Sequence, residues 1–149
     1  MAGWFRSVLE RSGLLNPDPV EQFAGDDAAM AEARRLAQAG LSDYWARFEA
    51  PTDDEESFIV KVSLPWGQAF ETIWAVPRAR AANLVTVELI NRPQNRAHQL
   101  GQVLDVFESD IVDWAYRRAG MLQGGFSERL MLDRMPPRLA AAKRADYGW

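Results

Sequence analysis

The chain has 149 residues, 48% of them hydrophobic and 26% charged, which is the balance of a single soluble globular domain and excludes a disordered chain. A net charge of -4 argues against nucleic acid as the main partner, because phosphate binding needs a surplus of Lys and Arg on one face; a basic protein partner fits better. The absence of cysteine excludes disulfides, thiolate nucleophiles and thiolate metal ligands together.

Trp4, Phe5, Val8 and Leu9 lie at helical spacing within Met1 to Leu15 and define one face of a short amphipathic helix. That face is expected to dock on its own domain, with a partner or a membrane surface as alternatives. Arg6, Glu10 and Arg11 interrupt the apolar run, so no signal peptide is read and the default location is cytoplasmic. Asn16-Pro17-Asp18-Pro19 then breaks the chain. Residues 1–25 are assigned to this helix and its linker, 26–135 to the main domain, and 136–149 to a C-terminal tail.

Asp26 or Asp27 supplies an N-cap for a second helix, whose apolar face is Met30, Ala33, Ala37, Leu41, Tyr44 or Trp45, and Phe48. Gly40 weakens its middle, and Ser42 and Asp43 offer a restart, which predicts a kink or two short helices. Ala50 to Ser57 reads as an acidic loop around Asp53-Asp54-Glu55-Glu56, solvated or docking a basic partner.

From Phe58 the hydrophobic period changes to two. Phe58, Val60, Val62 and Leu64 mark one strand, which ends at Pro65-Trp66-Gly67. A second runs from Phe70 to Val76, with Phe70, Thr72, Trp74 and Val76 on one face and Glu71, Ile73 and Ala75 on the other; Pro77 stops it. Leu84 to Ile90 makes a third strand, closed by Asn91-Arg92-Pro93, and Val103 to Phe107 a fourth. Ile111 to Arg117 fits strand and helical turn about equally, and strand is preferred, with Ala119-Gly120 as the following turn. Gly124-Gly125 permits a tight bend, Ser127 is placed to cap a helix through Arg134, and Pro136-Pro137 ends it. A short helix and a frayed tail follow. Short links between strands require antiparallel pairing. The class is α+β: N-terminal helices, a curved, mainly antiparallel sheet of four to five strands, and a C-terminal helix.

Six pieces of the chain stand in the order and rough spacing of one bacterial family: Phe58-Ile59-Val60-Lys61-Val62, Glu71-Thr72-Ile73-Trp74, Asn91-Arg92-Pro93, Gly101-Gln102-Val103, Ile111-Val112-Asp113-Trp114 and Gly124-Gly125-Phe126-Ser127-Glu128-Arg129. On these the segment from Phe58 to Arg129 resembles DUF2314, a domain family of unknown function. Thr72, Gln102 and Phe126 stand where that family often has His, Asp and Tyr. The resemblance implies a domain identity and no established activity.

The polar members of these motifs are Glu71, Asp113, Glu128 and Arg129. Two carboxylates whose environments push their pKa values apart divide acid and base roles, so a small hydrolase-like enzyme would use Glu71 and Asp113, with Arg129 holding an anionic group. That reading requires the three to converge in one pocket. The structural reading has Glu71 on an exposed sheet face, Asp113 capping or turning the chain, and Arg129 at the surface or bridging to Glu71 or Asp113. His98 is the sole histidine, so no imidazole triad or multi-histidine metal site forms within the chain, and no metal or cofactor is expected.

Binding residues are drawn from the aromatics and the turn motifs: Trp66, Trp74, Asn91, Trp114, Gly124, Gly125 and Ser127. Trp74 and Trp114 suit a core, whereas Trp66, between Pro65 and Gly67, suits an exposed anchor. The leading functional expectation is a non-catalytic protein-binding module, of which an immunity-type or regulatory protein is one concrete version.

Overall fold

The computed structural model describes residues 27–149; the helix and linker expected over residues 1–25 lie outside the described residues. In chain order the elements are α1 (Ala28–Glu49), β1 (Glu55–Trp66), β2 (Ala69–Ala81), β3 (Leu84–Leu89), β4 (Val103–Phe107), a 3-10 turn (Glu108–Asp110), β5 (Ile111–Arg118), β6 (Met121–Gly124), α2 (Phe126–Arg134) and α3 (Pro137–Tyr147). The strands form one six-stranded sheet in the order β4-β3-β2-β1-β5-β6, with every pair antiparallel. The class is α+β as predicted, with six strands in place of four to five and two helices after the sheet.

The extra strand, β6, has only four residues, too few for a readable alternation. It exists because Ala119 and Gly120 both take positive φ, 49° and 79°, between the paired Arg118 and Met121. This is the two-residue hairpin geometry that matches strand twist.

The sheet is curled. β4 and β5 stand four places apart in the strand order, a separation of about 19 Å in a flat sheet at ~4.8 Å per strand. The path from Phe107 to Ile111 spans at most roughly 14 Å at ~3.6 Å per residue. Only a sheet that brings those ends together accommodates so short a link.

One face of the sheet packs on α1. Ala37, Leu41, Tyr44 and Trp45 meet Val60, Val62, Leu64, Ile73, Ala75, Val85, Val87, Leu89, Trp114 and Tyr116 in a single core. Tyr44 and Trp45 are 0% and 1% exposed. Removing on the order of 150–250 Å² of each from water is worth about 4–6 kcal/mol apiece before entropy is deducted. The other face packs Ile59, Trp74, Val76, Ile90, Ala115 and Leu122 against Leu132 of α2 and Ala140 and Tyr147 of α3. Alternation therefore works as expected in β2: Ile73 and Ala75 go to the α1 side, Trp74 and Val76 to the other.

Four expectations are corrected. α1 is continuous, capped by Asp27, whose side chain accepts from Met30 N, and Gly40 does not divide it into two helices. The acidic stretch is not wholly loop, because β1 begins at Glu55, whose buried carboxylate is neutralised by Arg47 and Arg118 and bonded by Thr52. Pro77 does not stop β2, which continues to Ala81 through a register shift between Pro77 and Ala79; a bulge is where a strand tolerates a residue without an N–H. The C-terminal segment is docked, not frayed: Tyr147 is 0% exposed, and the Trp149 indole N–H donates to Leu122 O.

Candidate functional site

Asp113 lies on β5 opposite Lys61 and is completely buried. Its Oδ1 accepts from Trp114 N at 2.8 Å and Phe126 N at 3.1 Å, and its Oδ2 from Ser127 N at 2.8 Å and Ser127 Oγ at 2.5 Å. Two of these donors are N–H groups in the first turn of α2, which have no partner within the helix. The cap is therefore a carboxylate delivered from a neighbouring strand, and Ser127, expected to be the cap, sits inside the helix as a donor. The physical reason is Gly125: it occupies the N-cap position in left-handed backbone with no side chain of its own, leaving the helix terminus open to an anion.

Lys61 Nζ lies 3.4 Å from Ser127 Oγ and 5.7 Å from the Trp74 ring centre. Burial pushes the Asp113 carboxyl above its ordinary value, opposed by the Ser127 hydrogen bond and the Lys61 charge. Four donors fill the acceptor capacity of a carboxylate, so this group holds structure in place.

Trp114, the next residue, points to the opposite face. Its indole N–H donates to Ala37 O at 2.9 Å, and its ring lies between two glycines. A Cβ added at Gly40 would sit 2.8 Å from Trp114 Cζ2; one at Gly124, where φ is +74°, would sit 2.3 Å from Trp114 O and 2.5 Å from Cε3. Gly40 is the close-approach point of α1 on β5, which is why the helix carries a glycine there. Gly124 is the corresponding point on β6.

Glu71 is 1% exposed, not on an exposed sheet face. Its two carboxylate oxygens accept from Gln94 N at 2.6 Å and Asn95 N at 3.1 Å, which anchors the long connection between β3 and β4. The ends of that connection are closed by Leu89 N donating to Gln102 O and Gly101 N to Leu89 O, and Asn91 Oδ1 accepts from Trp74 N. Residues 91–102 therefore form a compact loop with adjacent ends, held to the start of β2 by one buried carboxylate.

Glu71 alternates with Ile73 on the α1 side of the sheet, while Asp113 pairs with Lys61 on the other side. Arg129 joins neither in a salt bridge. Its Nε donates to Gly124 O at 3.1 Å and its guanidinium stacks 3.7 Å from the Trp149 ring centre; burial lowers its pKa, opposed by the charge of Asp113. Glu128 accepts from the Tyr147 hydroxyl at 3.3 Å, tying α2 to α3. The three residues expected to share a pocket are thus distributed over two faces.

Of the expected binding residues, Trp74, Trp114, Asn91 and Ser127 are buried, and Gly125 packs on Trp149. Trp66 is exposed at the β1–β2 hairpin, and Phe70, paired with Pro65 on the returning strand, is 60% exposed. Sequence reasoning passed over Phe70, Lys61, Arg92 and Arg96. Phe70 read as one of an apolar strand face, and Lys61 as the polar partner in an alternating strand. The unbroken absence of carboxylates from 91 to 102 was a legible signal for the two arginines. Among the described residues, no group of three or more His, Cys, Asp or Glu is placed to hold a metal ion, and no helix is long and apolar enough to cross a membrane.

No curated protein and no solved structure matches the chain. The model of one family does, over residues 27–148, from the cap of α1 to the end of α3, and its description is an uncharacterized protein conserved in bacteria. The buried Asp113, the glycine-clamped Trp114 and the Glu71 anchor all lie inside that match, and the chain belongs to the DUF2314 family.

Proposed function

We propose that this protein is a non-catalytic, cytoplasmic protein-binding module, of the regulatory or immunity type, that engages its partner through the tip of the β1–β2 hairpin. The observation that carries the reading is the pair Trp66 and Phe70, large aromatic side chains left in solvent at one hairpin while the core aromatics are packed away. Exposed aromatics at a rigid turn are the usual anchors of an interface, because they offer large contact area at small entropic loss. The commitment of Asp113 and Glu71 to backbone donors supports binding over acid–base chemistry, since neither carboxylate is free to exchange a proton with a substrate.

The test is site-specific photocrosslinking in a bacterium that carries the protein, with a benzophenone side chain at Trp66 or Phe70 and a control at Leu139, which is exposed on α3. Discrete adducts of matching mass from both tip positions and none from Leu139 are expected. Absence of adducts at the tip, or equal labelling at Leu139, overturns the proposal.

A further inference from the structure

The surface beside the hairpin tip has a charge opposite to that of the whole molecule. The chain carries a net charge of -4, yet residues 91–102 contain Arg92, Arg96 and His98 and no carboxylate. Four arginines elsewhere on the surface are paired, Arg35 with Glu32, Arg80 with Glu49, Arg134 with Asp27 and Arg144 with Asp133, while Arg34, Arg129 and Arg138 join no ion pair among the described residues. Arg92 and Arg96 are exposed and make no ion pair among the described residues. Glu71, the carboxylate that touches this loop, is buried and occupied by two of its backbone N–H groups.

The same loop presents Leu100, 51% exposed, and is fastened to the residue that follows Phe70. Two unpaired guanidiniums and an exposed leucine thus share one loop, which is tethered to β2 at the residue next to Phe70. Anchoring by Glu71 fixes the loop backbone, so less entropy is lost when a partner docks.

We infer that residues 91–102, together with Phe70, dock an acidic segment of the protein partner, with Arg92 and Arg96 taking carboxylates and Phe70 and Leu100 taking apolar side chains. Arginine is suited to this because its planar fork binds a carboxylate through two parallel hydrogen bonds. The inference rests on the binding-module reading and adds the chemistry of the partner to it. Nucleic acid, the other polyanion, is disfavoured because the remainder of the molecule is acidic.

The full-length protein is titrated, by fluorescence anisotropy, into labelled peptides that alternate Glu with Leu and Trp, into the same peptides with Lys for Glu, and into a single-stranded DNA oligonucleotide. Saturable binding of the acidic peptide alone is expected, weakening as salt is raised. The R92E/R96E double variant, its fold checked by circular dichroism, is expected to lose at least about tenfold in affinity for the acidic peptide and to gain the lysine peptide. Failure to prefer the acidic over the basic peptide, an unchanged affinity in the double variant, or preferential binding of the oligonucleotide overturns the inference. Crosslinks from Trp66 and Phe70 to a partner whose contacting segment is basic would overturn it too while leaving the binding module intact. Absence of any tip crosslink removes the module itself.

Discussion

Gly124 and Asp113 illustrate how single residues acquire requirements from neighbours far away in sequence. Gly124 has positive φ and no room for a Cβ, whereas Gly120 has positive φ, 79°, and open space around it. Gly120→Ala is therefore expected to cost about 1 kcal/mol of backbone strain, and Gly124→Ala roughly 3 kcal/mol or more, since overpacking against Trp114 adds to the same strain. Urea denaturation of both variants checks the difference. Asp113→Asn keeps the shape but puts an amide N–H₂ against the N–H groups of α2, with an expected loss of about 1–3 kcal/mol. The pH dependence has a definite sign. Because burial raises the folded pKa of Asp113 above its unfolded value, the folded state takes up the proton first, and this group's contribution to stability grows as pH falls through the folded pKa towards the unfolded one. The stability gap between wild type and Asp113→Asn should accordingly widen on acidification, as urea midpoints at neutral and mildly acidic pH will show.

At the scale of elements, an ion pair joins the start of α1 to the end of α2. Arg134, the last residue of α2, donates to both oxygens of Asp27, the cap of α1, and holds its pKa down to about 2 from an ordinary 3.8. A depressed carboxylate contributes stability that is fully present above the unfolded pKa and is lost as pH falls through about 2. Arg134→Gln should return the Asp27 titration towards 3.8, which carbon-detected NMR of the carboxyl group will follow. Recognition of these elements from sequence was uneven for physical reasons. α1 and the first four strands carry apolar periods long enough to read. β6 is four residues long, and the cap of α2 comes from another strand, so neither has a local signature. Ser127 had the right residue type for a cap, but the helix starts one residue earlier, so Ser127 lies in its first turn and its own N–H and hydroxyl donate to Asp113.

Over the whole molecule, the middle of the loop between β3 and β4 is held to β2 by the Glu71 carboxylate. Glu71→Gln leaves an acceptor for only one of the Gln94 and Asn95 N–H groups. Hydrogen exchange at those two amides is expected to accelerate at least about tenfold, with the β5 amides unchanged; uniform acceleration throughout would show that Glu71 supports the fold and not the loop. The amino-acid sequence by itself determined the α+β class, the direction of strand pairing, the faces of β2 and the family, because hydrophobic period and short connections are properties of neighbouring residues. It also singled out Asp113, Trp114 and Gly124 as belonging together, without their reason for doing so. Tertiary structure alone decided that Trp114 is held between Gly40 and Gly124, that Asp113 caps α2, that Glu71 anchors residues 91–102, and that these two carboxylates face away from each other. Each of those contacts joins segments separated by many residues, and a contact of that kind arises only when the sheet curls and its two faces are covered.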